Sequence, residues 1–398
     1  MRIAYVCSDP GIPVFGSKGA SIHAQAVLQV LADQGHELHL VTPRPGGDPH
    51  VPLSVHTLPT ATGSPAERER SAQASDAAVS DVLTTVQPDL VYERYSLWGT
   101  SATRWAEAHR VPSVLEVNAP LVEEQATYRQ LVDRPGAEAA ARSALSRAGA
   151  VVCVSDGVAD WARTVSARPE RVQTLANGVD TDRIRPSTRP VASATGSPFV
   201  VGFVGTLKPW HGLENLVAAV ALLNLAGPDA SGPRGASTDF RLDSGWRLLV
   251  VGDGPLRESV ARLAEESGLA GKVELTGAVR ASEVSAHLQR MDVACAPYPS
   301  QSRFYFSPLK VYEYLAAGLP VVASAVGQVP AALDHGRLGR LVSPGDVAAL
   351  ADGLATARAD QSWRAELRVQ SRQAALERHT WRAVVDGALA LAELQVAA

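Results

Sequence analysis

Short apolar runs rich in β-branched residues alternate along this chain with longer stretches whose apolar positions recur every three or four residues. Runs of the first kind, bounded by turn residues, mark strands buried on both faces. The second periodicity marks amphipathic helices, and the alternation predicts parallel sheets covered by helices. In the first half the strands fall at RIAYVC, ELHLVT, LSVHTL, LVYERY, PSVLEV and AVVCVS, with helices at 20–34, 67–86, 99–109 and about 137–148. The second half repeats the plan. Its strands fall at FVVGFVG, RLLVVG, KVELTG, VACAPY, PVVASA and RLGRLV, and its helices run from Leu213 and over 255–267, 281–289, 308–317 and 346–357. Between the halves, 186–198 (PSTRPVASATGSP) has no periodicity and reads as a linker, which sets domains at 1–185 and 199–377. The polar, Gly-rich stretch 226–245 reads as a surface loop insertion with no assigned function. Two doubly wound α/β domains in tandem predict a cleft between them, with ligands beyond the carboxyl ends of the strands.

Composition narrows the partners. The 398 residues suit two domains of about 180–200 each. With 20% charged residues and a net charge of −4, nothing favours a nucleic-acid partner or an electrostatic hold on membranes, so positive charge must be local wherever an anionic substrate sits. Cys7, Cys153 and Cys295 lie far apart in apolar runs. They read as small core residues in a reducing cytosol, not as a disulfide framework or a metal site. The first apolar run is too short for a signal peptide, and no run of about 18 apolar residues follows. A cytoplasmic protein with at most peripheral membrane contact is expected.

The most informative stretch is 302–323, SRFYFSPLKVYEYLAAGLPVVA. Ser307 is placed to cap a helix, Pro308 fits its first turn, and Gly318 with Pro320 ends it. The free amides of Leu309 and Lys310, the helix dipole and the Lys310 ammonium suit a diphosphate. Glu313, one turn on, is placed to accept hydrogen bonds from two vicinal hydroxyls of a ribose. The same pattern also begins and ends an ordinary capped helix. Lys208 and His211 follow FVVGFVG in a short loop stiffened by Trp210, where a Lys holds diphosphate charge and a His bonds a phosphate oxygen. Gly252 sits in the turn GDGPLRE, and Val279 and Arg280 end LTGAVR, where backbone amides can read a flat base. In the first half, the loop 8–19 ends at Gly19, and His23 lies one turn into the next helix. Glu116, Asn118 and Glu123 stand at a strand mouth as a conceivable acid/base set, although acidic residues there are more often caps or solvated. No Ser-His-Asp arrangement, Walker loop, HExxH or CxxC motif is present.

Together, KGASIHAQ, LANGVDTDRI, VGTLKPWHGLENL, VVGDGPLRE, VELTGAV and SPLKVYEYLAAGLPVVAS resemble the retaining GT-B glycosyltransferases of family GT4, in order and over nearly the whole chain. The resemblance implies two Rossmann-like domains facing a cleft. A nucleotide-sugar (NDP-sugar) donor is held by the second, a small-molecule or glycan acceptor by the first, and a last helix from about 378, including Trp381, returns to the first. It implies that Glu313 binds the ribose and that Leu309 and Lys310 meet the diphosphate. Lys208 carries leaving-group charge, and Gly19 approaches the donor phosphate. Asn118 stands where many relatives keep a His near the transferred sugar. Four positions depart from the family pattern: Tyr305 replaces a Glu that reaches the donor sugar, Thr206 and His211 replace an Arg and a Lys, and Asn118 replaces that His. His23, Glu116 and Tyr305 are then the residues expected around acceptor and sugar. Transfer with retention through an oxocarbenium-like state is implied, with fixed cations and amides in place of a metal, and with no cofactor besides the donor. The chain is expected as a monomer or homodimer. UDP and GDP stay open as the nucleotide, as do natural-product decoration and envelope glycan assembly as the setting. An epimerase of the same fold and a catalytically weak NDP-sugar-binding partner protein remain alternatives.

Overall fold

The structure, a computed structural model, describes residues 1–16, 18–189, 191, 198–226, 245–300 and 305–396. Most of the expected linker at 186–198 and loop at 226–245 lies outside the described residues. The chain divides into two compact units. One comprises Met1–Gly178, Tyr305–Ser307 and Trp381–Ala398, the other Val179–Phe304 and Pro308–Thr380.

The first unit holds β1 (Arg2–Val6), β2 (Glu37–Thr42), β3 (Ser54–Thr57), β4 (Leu90–Arg94), β5 (Ser113–Val117), β6 (Ala150–Cys153) and β7 (Val172–Thr174). They form a parallel sheet in the order β3-β2-β1-β4-β5-β6-β7. Both faces are covered, as unbroken apolar strands require. Ile3 and Tyr5 of β1 join one core and Ala4 and Val6 the other. The C-terminal helix Trp381–Val396 belongs to this unit, burying Val385, Ala388 and Ala392 beside Tyr5 and Leu28.

The second unit holds β8 (Phe199–Val204), β9 (Trp246–Val251), β10 (Val273–Leu275), β11 (Val293–Ala296), β12 (Val321–Ser324) and β13 (Arg340–Val342), in the parallel order β10-β9-β8-β11-β12-β13. Helices Leu213–Leu225 and Val347–Ala359 pack on Phe199, Phe203, Val250 and Val322. In each sheet the strand order reverses beside the first strand, between β1 and β4 and between β8 and β11. Such switch points open a crevice at the carboxyl ends of the strands.

The expected strands and helices are present with ends shifted by one to three residues. Not expected were β7 and the helices Leu121–Tyr128, Asp156–Val165, Val329–Ala332 and Gln361–Arg378. Cys7, Cys153 and Cys295 are buried and free. Among the described residues, no helix is long and apolar enough to cross a membrane.

Candidate functional site

In the second unit, the residues that follow β8 and β11 gather at the switch point. The helix Leu309–Ala316 begins there, and its first amides have no partner one turn back. Gly318, at φ +63°, ends it by donating to Leu315 O while Leu319 donates to Tyr314 O. A side chain at Gly318 would meet Arg368 O at 2.6 Å, so the residue is demanded by packing as well as by conformation.

Lys310 runs beneath the end of β8. It is 7% exposed, with Nζ 4.5 Å from the Phe203 ring centroid and 4.9 Å from that of Tyr298. Burial pushes its amine down to about 7, against the opposing pull of Glu313. Lys208 stands on the surface side with Nζ 5.6 Å from the Trp210 ring. Among the described residues neither lysine has a carboxylate within ion-pair distance. His211 lies between them, its Nδ1 2.5 Å from Thr206 O. Burial, and then the positive charge of Lys310 and Lys208, push it down to about 3. The neutral ring spends its one proton on Thr206 and turns a lone pair outward. That corrects the expected role: His211 here offers an acceptor, suited to a hydroxyl, and no donor for a phosphate oxygen.

Glu313 faces the same region, its side chain 23% exposed and Oε1 3.6 Å from an Arg183 nitrogen. Burial raises its carboxyl, and Arg183 and then Lys310 oppose the rise. Arg183 also donates to Ala281 O at 2.7 Å, which brings the Val279-Arg280 turn beside Glu313. Gly252 (φ +133°) ends β9 so close to Gly205 that a Cβ would meet Gly205 O at 2.2 Å. Two expectations fail. Ser307 does not cap the helix: the capping position is Pro308, and the Ser307 hydroxyl is buried without a partner. The Arg280 amide, expected to read a base, donates instead to Glu283 Oε2 at 2.9 Å, and its exposed side chain turns back onto the same carboxylate at 2.6 Å.

In the first unit, Glu116 is the centre of a buried network at the ends of β4 and β5. Arg94 (2.7 Å) and Asn118 (2.6 Å) donate to Oε1. Tyr92 OH (3.0 Å) and His23 Nε2 (2.9 Å) reach Oε2. Burial works to raise this carboxyl, but His23, Arg94 and Asn118 outweigh it and hold Glu116 far below the usual carboxylate range. Glu116 is therefore a permanent anion with its lone pairs filled, which corrects the acid/base expectation for it. Asn118 is likewise turned toward Glu116. The His23 ring packs 4.6 Å from that of Trp381. His23, Tyr92, Glu116 and Asn177 line a small cavity of about 10 Å³, room for a single water. Gly19 opens its helix with nothing within 4 Å of where a side chain would stand. Tyr305 packs within this unit, its hydroxyl donating to Glu124 and its carbonyl accepting from Ser155. Sequence reasoning assigned no part to Arg183 or Arg94. The signal for Arg94 was available: an Arg and a Glu inside two apolar strands, which the register places side by side.

Comparison with known proteins bears on the family and the fold. A family model described as "Glycosyl transferases group 1" matches residues 198–360, and one described as "Glycosyltransferase Family 4" matches residues 17–183. A D-inositol 3-phosphate glycosyltransferase of Corynebacterium efficiens is 27% identical over 95% of this chain and 91% of its own length. A GDP-mannose-dependent alpha-(1-6)-phosphatidylinositol monomannoside mannosyltransferase of Mycobacterium tuberculosis is 31% identical, over 54% of this chain and 55% of its own. Among solved structures, a sucrose-phosphate synthase from Thermosynechococcus elongatus superposes with a TM-score of 0.71 at 20% identity, over 100% of this chain and 99% of that one. At that identity the likeness concerns the fold, which is the two-domain GT-B arrangement of Rossmann-like sheets.

Proposed function

The chain belongs to the GT4-type glycosyltransferases, and from that premise we propose that it moves a sugar, with retention, from a UDP- or GDP-linked donor to a hydroxyl of a small molecule or glycan. The observation that carries this reading is the convergence of Lys208, Lys310, Glu313 and the open turn of the Leu309–Ala316 helix at one switch point. In this account the amides of Leu309 and Lys310 hold the diphosphate, and Glu313 holds the ribose. The Gly252 and Val279-Arg280 backbones border the base.

As the bond from the anomeric carbon to the diphosphate oxygen lengthens, negative charge grows on the departing phosphate. Lys208, Lys310 and the helix start oppose that charge in a partly dry site, where fixed charges count most. They supply what a divalent ion supplies elsewhere, so the reaction is proposed to need none. The His211 lone pair accepts a donor-sugar hydroxyl. The acceptor hydroxyl attacks on the face the phosphate leaves, and its proton passes to a phosphate oxygen. The two named relatives act on an inositol phosphate and an inositol-lipid mannoside, which supports a polyhydroxylated acceptor and leaves both soluble and lipid-borne ones to be tried. The C. efficiens and M. tuberculosis likenesses also favour bacterial glycoconjugate assembly as the setting.

The test is a thermal-shift panel of NDPs and NDP-sugars, then product analysis with inositol phosphates as acceptors. Stabilisation by one nucleotide class, and transfer that falls at least tenfold in Lys208→Ala, is expected. Binding of a donor without hydrolysis or transfer in the wild type would favour a binding protein, and sugar isomerisation without acceptor an epimerase.

A further inference from the structure

The segment LANGVDTDRI carries no role in the account so far, yet the structure builds it with care. Asp180 accepts from the amides of Asp182 (3.1 Å) and Arg183 (2.9 Å), closing a turn. Arg372 fastens that turn from outside, donating to Thr181 O (2.9 Å) and Ile184 O (2.8 Å) and also to Ala316 O (2.9 Å), at the end of the helix that bears Glu313. Turn and helix are thus tied by one guanidinium. The turn aims Arg183, whose side chain is fixed at three points: Asp180 at 3.6 Å, Ala281 O at 2.7 Å and Glu313 Oε1 at 3.6 Å.

We propose that Arg183 is the positioning residue for Glu313, turning its carboxylate so that the free oxygen receives the ribose hydroxyls. This rests on the donor reading above. A carboxylate that must accept from two hydroxyls needs both charge and orientation. Burial of Glu313 works against the charge, and the groups facing it are Arg183 from the turn and Lys310 and Tyr314 from its own helix. Lys310 is itself pushed toward neutrality and packs on Phe203 and Tyr298, so Arg183 is the lasting countercharge. Among the described residues the contact is through Oε1, which leaves the other oxygen for the ribose. Arg183 therefore sets the preference for ribo- over deoxyribonucleotides without touching the nucleotide.

The experiment is calorimetric titration with UDP, dUDP, GDP and dGDP at pH 6, 7 and 8. The wild type should prefer the ribonucleotide by roughly tenfold or more, the worth of a hydrogen bond to a charged acceptor. Arg183→Gln should lose most of that preference, with the remainder shrinking as pH falls, because an unpaired Glu313 takes up a proton more readily. Arg183→Lys should keep it. Glu313→Gln should abolish it, and Arg183→Gln added to Glu313→Gln should cost nothing further. If Arg183→Gln unfolds, the Lys variant and the Glu313 pH profile carry the test. An unchanged ribose preference in Arg183→Gln at every pH, or equal loss for ribo- and deoxyribonucleotides, overturns the proposal. Failure of the wild type to bind either nucleotide overturns the donor reading itself.

Discussion

Replacing Lys310 by Met should stabilise the second unit while it destroys donor binding. The amine is pushed from its ordinary value of 10.5 down to about 7. Each pKa unit is worth about 1.4 kcal/mol, so holding the charged form in the fold costs about 4–5 kcal/mol relative to the unfolded chain. At pH 7, where about half the folded molecules have shed the proton, the cost is about 4 kcal/mol. Contacts of the ammonium with Phe203 and Tyr298 offset about 1–2 kcal/mol of it, and a Met sulfur against the same rings replaces part of that. A net gain of about 2–4 kcal/mol at pH 7 is expected. The sign with pH follows. Between about 7 and 10.5 the unfolded chain binds more protons at this site than the folded one, so the wild type gains stability as pH rises through that window and the variant does not. The gap should shrink by about 2 kcal/mol between pH 7 and pH 9 and vanish by about pH 10.5. Urea unfolding at pH 7 and pH 9, followed by tryptophan fluorescence, measures it. Donor affinity in the same variant should fall about 10- to 100-fold. A variant less stable than the wild type at pH 7, or a gap that does not shrink with pH, would refute the reasoning.

Glu116→Gln leaves Arg94 buried without its anion and should cost the first unit about 3–5 kcal/mol by chemical denaturation. Because the wild-type carboxyl is held low, its stabilisation is present above the ordinary carboxylate value of 4.5 and is lost as pH falls toward the depressed one. The variant should accordingly show a flatter acid limb; an unchanged acid profile would deny Glu116 its central place. Gly252→Ala, with a Cβ aimed at Gly205 O and a backbone at φ +133°, should cost about 2 kcal/mol or more and weaken nucleotide binding. Normal stability and affinity together would mean that the close approach is unimportant.

The doubly wound plan was legible because parallel strands buried on both faces read as unbroken apolar runs, and LVYERY and PSVLEV show it even with charges inside them. Apart from the helix Gln361–Arg378, what escaped was short or half-exposed. β7 spans three residues of which only Val172 is buried, and the helix Leu121–Tyr128 buries only Val122. The helix Asp156–Val165 did announce itself: Ser155 accepts from Val158 N at its start. Local spacing was enough to place the helix start, Lys310 and Glu313 side by side, since three and four residues make one turn. Arg183 was out of reach because its partner lies 130 positions further on and no periodicity links them. The His211 role failed for a different reason. Residue type does not say which ring nitrogen is already spent, and the Thr206 carbonyl decides that.

The most direct measurement of the central claim is a crystal structure of the protein with UDP or GDP. Diphosphate oxygens are expected within hydrogen-bond distance of the Leu309 and Lys310 amides, and the ribose diol on the Glu313 oxygen that Arg183 leaves free. A nucleotide bound elsewhere, or bound here with its ribose turned away from Glu313, would contradict it.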